Sequence, residues 1–555
     1  MAKLRPRRTY RCSVSRDVPA PILPARLLLA LAGGGAIALA FPDHNQWYAA
    51  WLGCGLIAAA GWVARWRTGF LVGLVAGLAY FVPTLSWSGV FVGKLPWIAL
   101  ATLEALYVAA MVAVIGPIQR RLVERRLGWA ASATVPLGWV VGEWARSTTP
   151  FGGFPWARLA FSQADSPLRN LMSLGGAPLL TAAVATLGVL LYAVARAALA
   201  TRSRALTSRR RVLTSSRRVL VPAVAAVALA TLPLAIPLAG TSSTTARVAI
   251  VQGNVPKAGL DFNAERRAVL DNHVRGTEAL AATAGALDLV IWPENAADID
   301  PLRNTDAAAV ITDARNAVKA PLLLGAILEE PAPLVSNASL LYRPGVLDPE
   351  RYVKQHPVPF AEYVPYKDFF RRFNSNVDLV RDGMATGTQV GYFALRTRSG
   401  APFAALPTIC FEVAYDGLIR KAVTHSPQVP SVLVVQTNNA TFGYTAESEQ
   451  QFAISRLRAI EHNRPVAHVS TVGVSGFIRP DGSYADKSSL YTAYRAVADL
   501  PLGQGTTIAD RLGRIPEYTA LAGLSLAWGL GRGPRRRDNG PSTTRSSSAK
   551  EATRV

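Results

Sequence analysis

Long apolar runs fill the first 240 residues of this chain, and short alternating runs follow them. Seven stretches, at roughly 25–41, 48–65, 69–91, 96–116, 128–145, 171–198 and 219–239, are apolar enough to be read as membrane helices; an eighth lies near 516–531. A bilayer core takes about 20 apolar residues per helix, which these runs approach. Several are rich in Gly and Ala, as in LALAGGGAIALA and GFLVGLVAGLAY, a composition that lets helices approach closely. Trp47, Tyr48, Trp51, Trp62, Trp66 and Trp97 cluster at run ends, where an interfacial aromatic belt is expected.

Between about 246 and 503 the pattern changes. RVAIVQGNV, LDLVIWPEN, PLLLGAIL, APFAALPTICFE and SVLVVQTNNA read as strands ending in polar residues, and VAHVSTVGVSGFI and GSYADK as further strands. NAERRAVLDNHVRGTEALAATAG, AVITDARNAVKA and ESEQQFAISRLRAIEHNRP carry helical spacing. This alternation predicts a layered α/β domain with helices on the faces of a sheet.

Charge fixes the expected orientation. The chain is 50% hydrophobic and only 17% charged, yet its net charge is +23. That basicity sits in runs flanking apolar stretches, near Arg5, Arg120, Arg209 and Arg535, which is the positive-inside pattern and argues against nucleic acid as a partner. With the N-terminus inside, the basic loops around Arg65, Arg120 and Arg202 and the tail after Arg532 also fall inside. The sparsely charged loops around Asp43, Val90 and Ser147 fall outside, and so does the α/β segment. The expected organisation is a basic cytoplasmic tail at 1–24, seven spans within 25–240, an extracytoplasmic catalytic domain at 246–503, a span at 516–531 and a polar, disordered tail at 532–555.

Of the three cysteines, Cys12 lies in the basic tail, Cys54 in an apolar run and Cys410 alone in the α/β segment, so that segment forms no internal disulfide. The six histidines show no paired-ligand spacing, which predicts no metal site. No GxSxG elbow, P-loop or dinucleotide fingerprint is present, and no cofactor is expected. The reactive candidates are Glu294 in IWPEN, Lys354 in the Pro-rich segment RYVKQHPVPFAEYVPY and Cys410 in LPTICFE. Singly, each is more often structural. Together they suit covalent acyl chemistry, with a thiol nucleophile, a carboxylate to move its proton and an ammonium to stabilise developing negative charge.

VQGNVP at Val251, WPEN at Trp292, SNASLLY at Ser336, KQHPVPFAEYVP at Lys354, ICFE at Ile409, and NNATFG followed by RLRAIEHNRP resemble the motifs of the bacterial apolipoprotein N-acyltransferases. These are membrane members of the nitrilase, or carbon–nitrogen hydrolase, superfamily. The resemblance spans nearly the whole chain except its polar tails. It implies a multi-pass α-helical membrane domain of about eight spans plus a nitrilase-like αββα sandwich. It implies Glu294 as general base and acid, Lys354 as electrostatic stabiliser and Cys410 as nucleophile. Glu362, Glu412 and Asn337 match supporting positions; read from the residues alone, Asn337 is a turn residue bonding its own backbone. The implied reaction moves an acyl chain from a phospholipid donor, through a Cys410 thioester, to the α-amino group of a diacylglyceryl-modified apolipoprotein. Two alternatives stay open: a membrane-tethered amidase, and a membrane scaffold for a polyprenol-phosphate mannosyltransferase docked through the C-terminal tail.

Several positions depart from the family pattern. Pro357 and Ala361 stand where Leu and Gly are frequent, and Phe411 follows the cysteine in place of Tyr. NNATFG replaces a loop usually reading NDAWFG, so Asn439 and Thr441 stand for an acid and a Trp near the lipid entrance. GFPWARL at Gly153 resembles an outer membrane loop; the plainer reading is an interfacial anchor through Trp156 and Arg158.

Overall fold

The computed structural model describes residues 21–205, 212–238, 240, 242–255, 265–372, 377–378 and 383–532. Cys12, most of both basic tails and the expected docking segment for a mannosyltransferase lie outside the described residues.

Each predicted apolar run is a helix. They are α1 (Leu23–Leu39), α2 (Ala49–Gly61), α3 (Trp66–Thr84), α4 (Lys94–Glu124), α5 (Gly128–Arg146), α6 (Met172–Ala205) and α7 (Val212–Thr231), with α14 (Ile515–Arg532) at the far end. Among the described residues four segments are long and apolar enough to cross a membrane: Trp66–Thr84, Lys94–Glu124, Pro167–Thr201 and Arg217–Ala235. That is fewer than the eight expected. The reasons are local: α1 and α2 have only 17 and 13 residues, and α5 carries buried Glu143 and Arg146. The third run also ends early, at Thr84, after Pro83, and continues as a 3-10 turn over Ser86–Gly89.

Small residues set the close contact between α3 and α4. Gly69, Gly73 and Gly77 recur every four residues on one face of α3. A Cβ at Gly73 would meet Ala109 Cα and Val108 O of α4 at 2.6 Å. The two backbones therefore touch, and dispersion along that seam replaces the hydrophobic drive that lipid cannot supply.

The α/β segment folds as two six-stranded sheets. Its strands are β1 (Thr245–Gln252), β2 (Leu289–Ile291), β3 (Leu322–Leu328), β4 (Ser336–Tyr342), β5 (Glu350–Val353), β6 (Phe393–Arg396), β7 (Pro402–Ile409), β8 (Ser431–Thr437), β9 (Val466–Ser470), β10 (Gly476–Ile478), β11 (Tyr484–Lys487) and β12 (Tyr494–Pro501). The first sheet runs β12-β1-β2-β3-β4-β5 and the second β11-β10-β9-β8-β7-β6. Its helices are α8 (Arg266–Ala281), α9 (Thr305–Val318), α10 (Lys367–Arg371), α11 (Asp416–His425), α12 (Glu447–His462) and α13 (Ile508–Leu512).

Alternation along each strand builds the layers. Val248 and Ile250 of β1 face Val432, Val434, Ala467 and Val469 of the second sheet, forming the core between sheets. Ala249 and Val251 face the other way, against Leu270 and Val274 of α8. Both faces of each inner strand are covered, so these strands read as continuous apolar runs.

The outer face of the second sheet has a different neighbour. Leu406, Leu433 and Val435 share one apolar cluster with Phe452 and Leu457 of α12 and with Tyr80, Trp156 and Leu180 of the helical part. Helix α12 is wedged between the sheet and α6, and every residue in it except Glu449 is buried. It is a polar helix nonetheless, and its polar groups are paired, both across the junction and within the α/β domain. Gln450 Oε1 accepts from Trp156 Nε1 at 2.9 Å and Trp87 Nε1 at 3.3 Å. Arg458 donates to the carbonyls of Val413 (2.9 Å) and Ala414 (2.8 Å) and to Asp416 (2.7 Å), and pairs with Glu461. Arg158, from the loop after α5, reaches the other Asp416 oxygen at 2.7 Å. Trp156 and Arg158 are thus not an interfacial anchor: both are buried beneath the α/β domain, and buried polar groups must find partners there.

Gly73→Leu is expected to wedge α3 from α4 and lower stability by about 1–3 kcal/mol, the usual cost of overpacking. A thermal melt of the detergent-solubilised protein that matches wild type would contradict this seam.

Candidate active site

Four strand ends of the α/β domain converge on one group of charges. Glu294 follows β2, Asn337 lies on β4, Lys354 follows β5 and Cys410 follows β7. Parallel and antiparallel neighbours stop at the same level, so the loops after them share one space. Gly325 of β3 lets Glu294 approach: a Cβ there would lie 2.4 Å from Pro293 O and 2.6 Å from Glu294 Cα.

Lys354 is the centre. Its side chain is 1% exposed, and its Nζ lies 2.7 Å from Glu362 Oε1 and 3.2 Å from Glu294 Oε1. Glu294 Oε1 also accepts from Asn337 Nδ2 at 2.7 Å, and its Oε2 accepts from the Asn438 backbone N–H at 2.8 Å. Glu362 Oε2 accepts from the Val358 N–H at 2.7 Å, and its Oε1 from Asn337 Nδ2 at 3.3 Å. Asn337 is therefore no self-bonded turn residue; it sits in a strand and bridges both carboxylates. Glu412 is fully buried and ties two loops together: it accepts from the N–H groups of Ile409 (2.9 Å), Gln355 (2.6 Å) and His356 (3.1 Å) and from Tyr352 Oη (2.9 Å).

Cys410 opens a 3-10 turn, Cys410–Ala414, with a φ of +53°, a left-handed conformation that costs a non-glycine residue energy. The turn is over-determined from both sides. Glu412 bonds back to Ile409, and the Phe411 ring stacks on Phe154 (5.2 Å between centroids, 24°) and on Trp156 (5.4 Å, 12°). Those two rings come from the loop after α5. Arg146 fixes that loop by donating to the carbonyls of Phe154 (3.1 Å), Trp156 (2.7 Å) and Ala157 (2.7 Å).

Electrostatics sort the roles. Burial raises the Glu294 pKa, opposed by the Lys354 ammonium. Burial alone would lower the Lys354 pKa, but Glu294, Glu362 and Cys410 together hold it well above its ordinary value. Enclosure and Glu294 push the Cys410 thiol up, with Lys354 pulling the other way. The Cys410 thiol thus feels both charges of the Glu294–Lys354 pair, in opposite directions. Such a set can form and break acyl–sulfur bonds. Among the described residues no three His, Cys, Asp or Glu side chains are placed to hold a metal ion.

The altered loop is not a simple lid. Asn439 is buried, 2.6 Å from Glu447 Oε2, while Phe442 packs edge-on against Trp87 at 5.0 Å. Glu447, Gln451 and Thr437 near Cys410 escaped the sequence reading; the one signal for the first two was the polar face of a helix predicted to pack on a sheet, and for Thr437 the polar end of a predicted strand.

A family model described as the apolipoprotein N-acyltransferase N-terminal domain matches residues 33–190, and one described as carbon-nitrogen hydrolase matches 247–510. A protein named apolipoprotein N-acyltransferase from Mycolicibacterium smegmatis is 38% identical over 528 residues, covering 90% of this chain and 84% of that one. This chain belongs to the apolipoprotein N-acyltransferase family. A second member, from Ralstonia nicotianae, is 29% identical over 503 residues, covering 88% of this chain and 90% of its own length. Among solved structures, an amidase from Nesterenkonia sp. overlaps with a TM-score of 0.35 at 14% identity, over 51% of this chain and 100% of that one. In this family member the two model matches leave out α7, the helix that joins the membrane part to β1.

Lys354→Met leaves two buried carboxylates without their cation. The folded-state Glu294 pKa then rises further above its ordinary 4.5. A carboxyl raised in the folded state loses stability as pH climbs through that window. The variant is expected to lose about 3–5 kcal/mol at pH 8 and clearly less at pH 5, read by thermal melts at the two pH values. Equal losses at both would contradict the charge balance described.

Proposed function

We propose that this chain is an acyltransferase that takes an acyl chain from a phospholipid and places it on the α-amino group of the diacylglyceryl-cysteine at a lipoprotein N-terminus. The observation that carries this reading is the position of the thiol. Cys410 sits in a turn clamped by rings from the loop between α5 and α6, so the nucleophile is fixed to the apolar helical part of the molecule. A site meant for two lipid-anchored substrates requires that placement, whereas a hydrolase of soluble amides does not.

In the first half-reaction Glu294 takes the Cys410 proton as Sγ attacks the ester carbonyl. Lys354 stabilises the oxyanion. The C–O bond breaks, Glu294 returns the proton to the leaving oxygen, and a lysophospholipid departs. A thioester remains on Cys410. In the second half the lipoprotein amine attacks that thioester, Glu294 accepts its proton, the C–S bond breaks and the thiol is restored. Glu362 and Asn337 hold Lys354 and Glu294 in register, and Glu412 holds the turn that carries Cys410.

Eight crossings, by α1–α7 and α14, fit the placement of basic residues and return both ends to the cytoplasmic side, with the α/β domain outside. Short helices such as α2 then cross only in company, their ends covered by protein.

Cys410→Ala is expected to abolish N-acylation and Cys410→Ser to reduce it by orders of magnitude, read by mass spectrometry of lipoprotein N-termini in cells whose sole copy is the variant. A long-chain acyl adduct on Cys410 in wild-type protein incubated with phospholipid alone should accompany this. Fully triacylated lipoproteins in the Cys410→Ala strain would overturn the proposal.

A further inference from the structure

Beside Cys410 stands a polar network that the mechanism above does not use. Gln451 is fully buried on α12, and its Nε2 lies 3.8 Å from Cys410 Sγ, within hydrogen-bond range for sulfur. The partners of its oxygen set which way the amide faces. Its Oε1 accepts from Thr437 Oγ1 at 2.9 Å and from Asn439 Nδ2 at 3.1 Å. With two donors on the oxygen, the NH2 group is left pointing at the sulfur.

The donors are themselves fixed. Asn439 Nδ2 also donates to Glu447 Oε2 at 2.6 Å, and Asn439 Oδ1 accepts from Ser470 Oγ at 2.5 Å. Glu447 is 2% exposed, and burial pushes its pKa up to about 8. Thr437 ends β8, Ser470 ends β9 and Gln451 belongs to a helix buried on both faces, so none of these groups has room to turn.

We infer that Gln451 is a further catalytic residue, whose amide N–H donates to Cys410 Sγ and stabilises the negative charge that gathers on sulfur as its proton leaves during attack and as sulfur leaves the thioester. This rests on the acyl-transfer reading of the site. No proton leaves Gln451: the thiol proton passes to Glu294, and the amide hydrogen bond shortens as charge gathers on sulfur. A thiolate held between an ammonium and a buried amide resembles a preorganised oxyanion site, in which donors are set before the charge appears. Asn439 and Glu447 are positioning residues that hold the amide in the donating orientation.

The test uses full-length protein in detergent and iodoacetamide as the probe, with alkylation of Cys410 followed across pH by peptide mass spectrometry, which separates it from Cys12 and Cys54. Gln451→Met keeps the length of the side chain and removes the donor. It is expected to slow Cys410 alkylation at pH 8 by roughly tenfold or more and to displace the pH profile upward, since a hydrogen bond to a charged group is lost. Gln451→His keeps a ring N–H and should recover part of the rate. Wild-type alkylation profiles in Gln451→Met would overturn the inference. So would equal slowing in Gln451→Met and Gln451→His, which marks a packing effect. Because alkylation needs no lipid substrate, these outcomes stand apart from the lipoprotein readout: intact N-acylation in Cys410→Ala sinks the acyl-transfer reading, while the alkylation profiles judge Gln451 alone.

Discussion

A buried ammonium dictates most of this architecture. Moving an isolated lysine charge from water into protein is prohibitive, so Lys354 persists at 1% exposure only because two carboxylates meet it. Each carboxylate brings its own requirement. Glu294 needs Asn337 and the Asn438 N–H; Glu362 needs the Val358 N–H. Those partners lie on or beside β4, β5 and β8, which belong to two different sheets. The packing of one sheet on the other is therefore what closes the charge network, and the network in turn fixes how the strand ends align. Removing the cation unbalances both.

The same logic operates one layer further out, where the α/β domain meets the apolar helices. An amphipathic helix would leave one face to water. Helix α12 has no such face, so Gln450 and Arg456 reach across the junction to Trp156, Trp87, Asp165 and the Ala164 carbonyl, while Arg458 bonds to carbonyls of the turn after Cys410. A junction built from directional hydrogen bonds has one register, whereas a greasy one could slide. That single register sets the turn at Cys410, where Phe154 and Trp156 stack on Phe411 and Gln451 lies against Cys410.

Much of this was legible from residue pattern. Every long apolar run became a helix, and the strand–polar endings in IWPEN and LPTICFE did carry the residues that converge. The reading failed where partners are distant in sequence. β4, β5, β6 and β12 were not foreseen: β6 is four residues long and β12 is half-exposed, so neither shows the continuous apolar run of a covered strand. Trp156 and Arg158 have the composition of an interfacial anchor, and only the covering by α11 and α12 makes them core. Asn337 has the local signature of a turn, but seven consecutive buried positions from Ser336 to Tyr342 place it in a central strand, where its amide finds carboxylates instead of its own backbone. The count of crossings depends on what the protein does for its short helices, which periodicity does not encode.

The departures from the family pattern take on physical meaning in this setting. Phe411 in place of Tyr loses a hydroxyl at a position sandwiched by aromatic rings, where an unpaired O–H is costly; an all-carbon ring suits the stack. Asn439 in place of an acid is more telling. An aspartate there would face Glu447 at hydrogen-bond distance, two acids in one buried spot, and would offer no N–H to Gln451. The amide resolves both conflicts at once: it donates to Glu447 and to Gln451 and accepts from Ser470. Asn439 and the buried glutamate therefore bond to each other, and the first half of the NNATFG loop is part of the wall beside Cys410.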